Sequence, residues 1–201
     1  MWGRWSVITV MPRSPSKDGA VSDDSADHRH PSGTLGGMDF EIRTARADEY
    51  GRLGEITGAA YSGDGLLDLN DDDTYLNVLR DVAGRAGDGE VLVAVEDGRV
   101  LGGVTFAAPG SRLADVAGPA EAEFRMLAVA PEARGKGVGE ALVRACAERA
   151  RALGVAALLL STQPAMLGAQ RIYERLGFVR TPELDWSPLP ALKLLTYRLE
   201  L

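Results

Sequence analysis

The residues best equipped for chemistry sit together in the run MLAVAPEARGKGVGE, Met126 to Glu140. An apolar strand runs into Arg134-Gly135-Lys136-Gly137-Val138-Gly139, and the glycines open a helix. The first turn of a helix leaves backbone N–H groups without intrahelical acceptors, at the positive end of the helix dipole. Without Cβ atoms the backbone can approach a ligand closely. Donors from about Arg134 to Glu140, with the charge of Arg134 or Lys136, make a seat for a phosphate or pyrophosphate. Spacing excludes two familiar versions of such a seat. A P-loop needs a Ser or Thr after its lysine, and Gly137 follows Lys136. A dinucleotide fingerprint counted from Gly135 and Gly137 needs its third glycine at position 140, which is Glu140.

The remaining pattern, Arg-x-x-Gly-x-Gly after a Leu-Ala-Val strand end, resembles the acetyl-CoA-binding motif of the GNAT superfamily of N-acetyltransferases. That motif reads Gln/Arg-x-x-Gly-x-Gly/Ala, matched by Arg134, Gly137 and Gly139. Downstream, ALLLS at residues 157–161 reads as a buried strand and MLGAQRIYERLGF at 166–178 as a helix ending at Gly177. Its Tyr-Glu-Arg-Leu-Gly-Phe ending resembles the family's second segment, close to Leu-Tyr-x-Lys-x-Gly-Phe. The resemblance covers residues 39–201. It implies acetyl-CoA as co-substrate and a primary amine, on a small molecule or a protein, as acceptor.

The resemblance also implies site roles. The main chain of Leu127, Ala128 and Val129 is expected along the pantetheine arm. Arg134, Gly135, Lys136, Gly137, Val138, Gly139 and Glu140 are expected around the pyrophosphate. Tyr173 matches the family tyrosine that protonates or holds the departing thiol. An amine of the lysine type has a pKa of about 10.4 and must shed a proton before attack. The folded part has no histidine, since His28 and His30 lie near the N-terminus. A carboxylate is therefore expected to take the proton. Glu123 is the candidate, four residues before Leu127 on one strand and on the same face if alternation is unbroken. Its alternative is a solvated strand-end charge paired with Arg125. For Tyr173 the alternative is an aromatic core residue with its hydroxyl turned to solvent. The family asparagine seven residues before that tyrosine is Met166 here, with Gln163 or Gln170 as substitutes.

Elements must hold these groups in place. A strand is expected at 40–43, helices at 48–61 and from Tyr75 to Val82, and a hairpin of 91–95 with 100–106 about Asp97-Gly98. Gly102 and Gly103 suggest a bulge. A strand at 121–129, an amphipathic helix marked by Val138, Ala141, Leu142, Ala145, Cys146, Ala152 and Leu153, and a closing strand at 191–199 after a loop at 181–190 complete the order. The expected fold is α/β, a mixed and mostly antiparallel sheet with helices on both faces. The chain divides into a disordered extension at 1–37, with Met38 as an alternative start, and a catalytic domain at 38–201. The acidic loop at 62–73 carries Asp64, Asp68, Asp71, Asp72 and Asp73. It reads either as a lure for a cationic amine or as a loop capping the next helix. Trp186 and Tyr197 are candidate linings of the acceptor pocket.

Composition narrows the partners. The 201 residues carry 22 basic and 29 acidic side chains, a formal charge of −7. That opposes nucleic acid or an anionic membrane as partner. The single cysteine, Cys146, excludes an intrachain disulfide, fits a reducing, cytoplasmic setting and reads as core. No Cys/His cluster has metal-ligand spacing, so no metal is expected. With no exposed nucleophile, direct transfer in a ternary complex is expected. Alternatives are a non-catalytic acyl-CoA-binding module and an enzyme using a longer acyl donor. The Ala-, Gly- and Arg-rich composition suggests a bacterial source. The family resemblance leaves a homodimer through the C-terminal strand open.

Overall fold

The computed structural model describes residues 39–63, 73–189 and 192–201. The expected extension at 1–37 and most of the acidic loop, 64–72, lie outside the described residues. Among the described residues, strands β1 (Glu41–Thr44), β2 (Glu90–Glu96), β3 (Arg99–Ala107), β4 (Glu121–Val129), β5 (Ala157–Thr162), β6 (Val179–Arg180), β7 (Trp186–Leu189) and β8 (Leu192–Glu200) are accompanied by five α-helices. These are α1 (Tyr50–Gly63), α2 (Asp73–Arg80), α3 (Val82–Asp88), α4 (Val138–Ala152) and α5 (Leu167–Arg175). The sheet order is β1-β2-β3-β4-β5-β8-β6, with β7 on β8. Among the described strands only β4 and β5 run parallel, because α4 crosses over between them.

The β2–β3 hairpin forms where Asp97-Gly98 predicts it. Both residues have positive φ, 49° and 76°, as a two-residue turn of type I′ demands. The register slip in this hairpin falls between Val100 and Gly102 on β3. A second slip, against β4, follows Gly103, so Gly102 and Gly103 lie between two irregularities, as expected, and are also points of close approach. A Cβ on Gly102 would lie 2.5 Å from the Ala128 carbonyl oxygen, and one on Gly103 2.7 Å from Leu53 of α1.

Three boundaries differ from the sequence reading. The second helix breaks at Asp81, whose carboxylate accepts the Gly84 N–H at 2.8 Å and caps α3; a short acidic side chain competes with the helix backbone in this way. The loop at 181–190 contains β7, an edge strand that accommodates Pro188. On α4 the buried stripe takes in Val143, Ala147 and Ala150, while Leu153 lies past the helix end and is exposed.

The two faces of the sheet are covered by different helices. Leu53 of α1 packs on Gly103, and Arg85 of α3 reaches Thr105. On the other face α4 lies along β3 and β4, and Tyr173 of α5 packs on Phe124. Phe124, Tyr173, Phe178 and Tyr197 form a cluster with ring centroids 5.8 to 6.0 Å apart. Such pairs contribute about 1 kcal/mol each beyond burial. Tyr197 is thus core, 1% exposed, rather than a free pocket wall. Among the described residues no helix is long and apolar enough to cross a membrane.

Candidate active site

The site begins where two parallel strands part. β4 and β5 pair from Glu121 with Ala157 to Phe124 with Leu160, and no further. Past that point β4 keeps only β3, while β5 continues along β8 to Thr162. The parting coincides with a bulge. Between Gly103 and Thr105 of β3, β4 spends three steps, Ala128 to Arg125, and Met126 takes φ 55°. A non-glycine residue in that region carries strain, which tends to gather at functional sites.

The bulge corrects the expected alternation. Thr105 faces Arg125 and Gly103 faces Ala128, so Glu123, Arg125 and Ala128 share the α1–α3 face. Leu127 and Val129 turn to the α4 side, where Val129 approaches Gly139. Glu123 and Leu127 therefore do not share a face. The main chain follows the same logic. Ala130 donates its N–H to the Leu101 carbonyl at 2.8 Å, and the Ala128 carbonyl also points at β3. Backbone groups alternate edges along a strand, so those of Leu127 and Val129 face the opening left by β5. Ala128, expected beside the coenzyme with them, directs its main chain into the sheet.

The glycine segment lies directly beyond. Arg134 has an extended backbone, Gly135 has φ 77° and Gly137, the N-cap of α4, has φ 82°. These conformations suit glycine alone without strain, and explain both residues without reference to a ligand. Gly139 differs, since a Cβ there would meet Ile172 and Val129 at an ordinary 3.6 Å. The first helical bond is Ala141 N–H to Gly137. Among the described residues, the N–H groups of Gly135, Lys136, Gly137, Val138, Gly139 and Glu140 donate to no backbone carbonyl. Arg134 and Lys136 are exposed, and Arg134 Nε lies 3.5 Å from the Val129 carbonyl oxygen. Glu140, a carboxylate at an anion seat, is held below its ordinary pKa by Arg144 at 2.7 Å and by Arg175. Its charge is thereby offset.

Glu123 is neither solvated nor paired with Arg125. It is 1% exposed, and its Oε2 accepts N–H groups from Asp115 and Val116 at 2.9 Å and Ala117 at 3.3 Å. Arg125 pairs with Asp115 at 2.7 Å instead. Burial raises the Glu123 pKa, against the pull of the Val116 amide and Arg125. Tyr173 is 4% exposed, on the opposite face at the last β4 residue paired with β5. Burial raises its pKa as well. Among the described residues the one sealed polar side-chain atom without a hydrogen bond is Thr181 Oγ1. Among the described residues the Tyr173 hydroxyl has no hydrogen-bond partner, so its proton is not committed to another group.

Gln170, a candidate substitute for the family asparagine, donates its Nε2 to the Gln163 and Pro164 carbonyls at 3.0 Å. Trp186 donates its indole N–H to Ser161 Oγ at 3.0 Å, which fixes the β5 wall just beyond the parting. Cys146 is fully buried, and burial raises its pKa, so no reactive thiolate forms there. Among the described residues no group of acidic, Cys or His side chains could hold a metal.

The model of the Acetyltransferase (GNAT) family matches residues 55–178, a span holding the parted strands, the glycine segment and Tyr173. The chain belongs to the GNAT acetyltransferase family. It is 34% identical over 73 residues to an uncharacterized N-acetyltransferase of Schizosaccharomyces pombe, covering 36% of this chain and 45% of that one. It is 36% identical over 103 residues to a mycothiol acetyltransferase of Cellulomonas flavigena, covering 50% of this chain and 30% of that one. The matches thus span less than half the length of these relatives. The fold resembles that of yncA from Salmonella typhimurium, a structure with its cofactor acetyl-CoA. The TM-score is 0.58, with 23% identity over 81% of this chain and 94% of that one.

Proposed function

We propose that this GNAT protein moves the acetyl group of acetyl-CoA directly to a primary amine within a ternary complex. The observation that carries this reading is the opening between β4 and β5. Outward-facing main chain at Leu127 and Val129 lines it and leads straight into the donors of residues 135–140. The pantetheine amides pair along β4 as an added strand would. The pyrophosphate takes the helix donors, with Arg134 and Lys136 adding charge.

Glu123 takes the proton from the acceptor ammonium, directly or through one water, using the carboxylate oxygen that the 115–117 amides leave unused. The neutral nitrogen attacks the thioester carbon, and the carbonyl oxygen gathers charge beside the Leu127 or Val129 N–H. The C–S bond then breaks as the Tyr173 hydroxyl donates its proton to the departing sulfur, and the second proton, shed by the acylated nitrogen, returns through water to the Tyr173 oxygen. The two side chains flank the opening from opposite faces of the sheet, so proton removal and proton delivery are separated. Initial rates of thiol release, with acetyl-CoA and an amine varied together, test the kinetic order. Intersecting double-reciprocal lines are expected. Parallel lines would contradict direct transfer and point to a covalent acyl-enzyme.

A further inference from the structure

Among the described residues Arg85 is a buried charge with no carboxylate in contact, although Asp81, one turn earlier, favours its charged form from longer range. Arg85 is 5% exposed, on α3, and no carboxylate of the described residues lies within 4.0 Å of it. Its Nε donates to Thr105 Oγ1 at 3.2 Å, and Nη1 donates to the Leu79 and Val78 carbonyls at 2.7 and 3.3 Å. Among the described residues Nη2 has no hydrogen-bond acceptor, so one edge of the guanidinium holds no partner. Burial lowers its pKa to about 10, which leaves it charged at neutral pH. Desolvating such a cation costs several kcal/mol. A neutral amide could hold the same two carbonyls, so stapling α2 does not explain the charge.

Its location does. Thr105 pairs with Arg125, two residues from Glu123 on one face. Thr105 and Glu123 are thus diagonal neighbours, about 7–8 Å apart across the strands. Tyr61, near the end of α1, lies close enough to influence the titration of both Arg85 and Tyr173. Thr105, which Arg85 holds, thus lies on the same face of the sheet as Glu123. Arg125 already answers to Asp115, whereas Arg85 has no carboxylate in contact among the described residues.

We infer that Arg85 Nη2 binds a carboxylate of the acceptor, so that the amine acetylated belongs to a small amino acid rather than to a simple alkylamine or a protein side chain. This inference rests on the transfer reading above. One Nη2 edge matches a carboxylate oxygen, and the spacing to Glu123 sets the amine a few bonds from it.

The test pairs each amino acid with its own carboxamide in the thiol-release assay with acetyl-CoA. The wild-type protein is expected to favour at least one free acid over its amide by tenfold or more in kcat/KM. Arg85→Gln should abolish that preference, Arg85→Lys should keep part of it, and both should bind acetyl-CoA as wild type does. Equal turnover of acids and amides by the wild type would overturn the inference while leaving the transfer reading intact. So would a preference that survives Arg85→Gln. Turnover confined to amines without a carboxylate would overturn it likewise. Acetyl-CoA binding with no thiol release from any amine would sink the transfer reading, and this inference with it. The wild-type comparison stands even if a variant fails to fold.

Discussion

Burial raises the pKa of Glu123 and of Tyr173 alike, with opposite consequences for their proposed roles. A raised carboxylate pKa makes Glu123 a stronger base near neutrality, while a raised phenol pKa keeps Tyr173 protonated and able to donate. Activity should therefore climb as pH rises through the elevated Glu123 pKa. In Glu123→Gln the side-chain carbonyl still accepts the 115–117 amides, so the loop stays anchored while the base is lost. We expect turnover to fall roughly 10²-fold and the acidic limb of the pH profile to vanish. Tyr173→Phe keeps the aromatic cluster and should lower kcat by a comparable factor with acetyl-CoA affinity unchanged. A wild-type pH profile in Glu123→Gln, or a weakened Kd with normal kcat in Tyr173→Phe, would reassign these residues to packing. The candidates themselves were legible, because the glycine motif and the Tyr-Glu-Arg-Leu-Gly-Phe segment fix their positions along the chain. What Glu123 touches was not, since its partners are backbone amides of a loop whose side chains carry no signal. Arg85 left one overlooked sign: it falls three residues after Val82 on the inner stripe of its helix, where a charge is out of place.

At the scale of elements, short carboxylate contacts fix the boundaries that hold the site. Glu49 joins β1 to α1 through a fork on Arg43, at 2.6 and 2.8 Å, and accepts the Arg46 N–H at 2.7 Å. The Arg43 hydrogen bond leads in pulling its pKa from 4.5 to about 2. A folded-state pKa below the unfolded one stabilises the fold above the unfolded value, and that stability is lost as pH falls through the folded value. Glu49→Gln should thus lower stability at pH 7 by about 1–2 kcal/mol, or about 2–6 °C in Tm. The gap from wild type should close as pH drops from about 4.5 towards 2; a gap independent of pH would show that charge is not its source. The same scale divides what sequence reveals. Asp97-Gly98 announces its hairpin because few residue pairs accept two positive φ angles. Met126 announces nothing, for its αL conformation is imposed by the β3–β4 register and the parting of β5. One inserted residue there sends Leu127 to the opposite face from Glu123.

At the scale of the whole molecule, the described strands join in one sheet in which β4 and β5 part beyond Phe124 and Leu160. The order of strands and helices was readable from apolar periodicity and turn residues; the opening was not, because it is an absence of pairing between strands far apart in sequence. The account depends on that opening and the adjoining α4 terminus gripping acetyl-CoA. Isothermal titration calorimetry of the full chain with acetyl-CoA, beside Gly137→Val, tests this most directly. A branched side chain at φ 82° strains the turn by about 1–3 kcal/mol and crowds the donors, so thermal melting should accompany the titration to confirm folding. We expect saturable one-to-one binding by wild type and affinity at least tenfold weaker in the folded variant. A flat isotherm from folded wild-type protein, or equal affinity in Gly137→Val, would contradict the account.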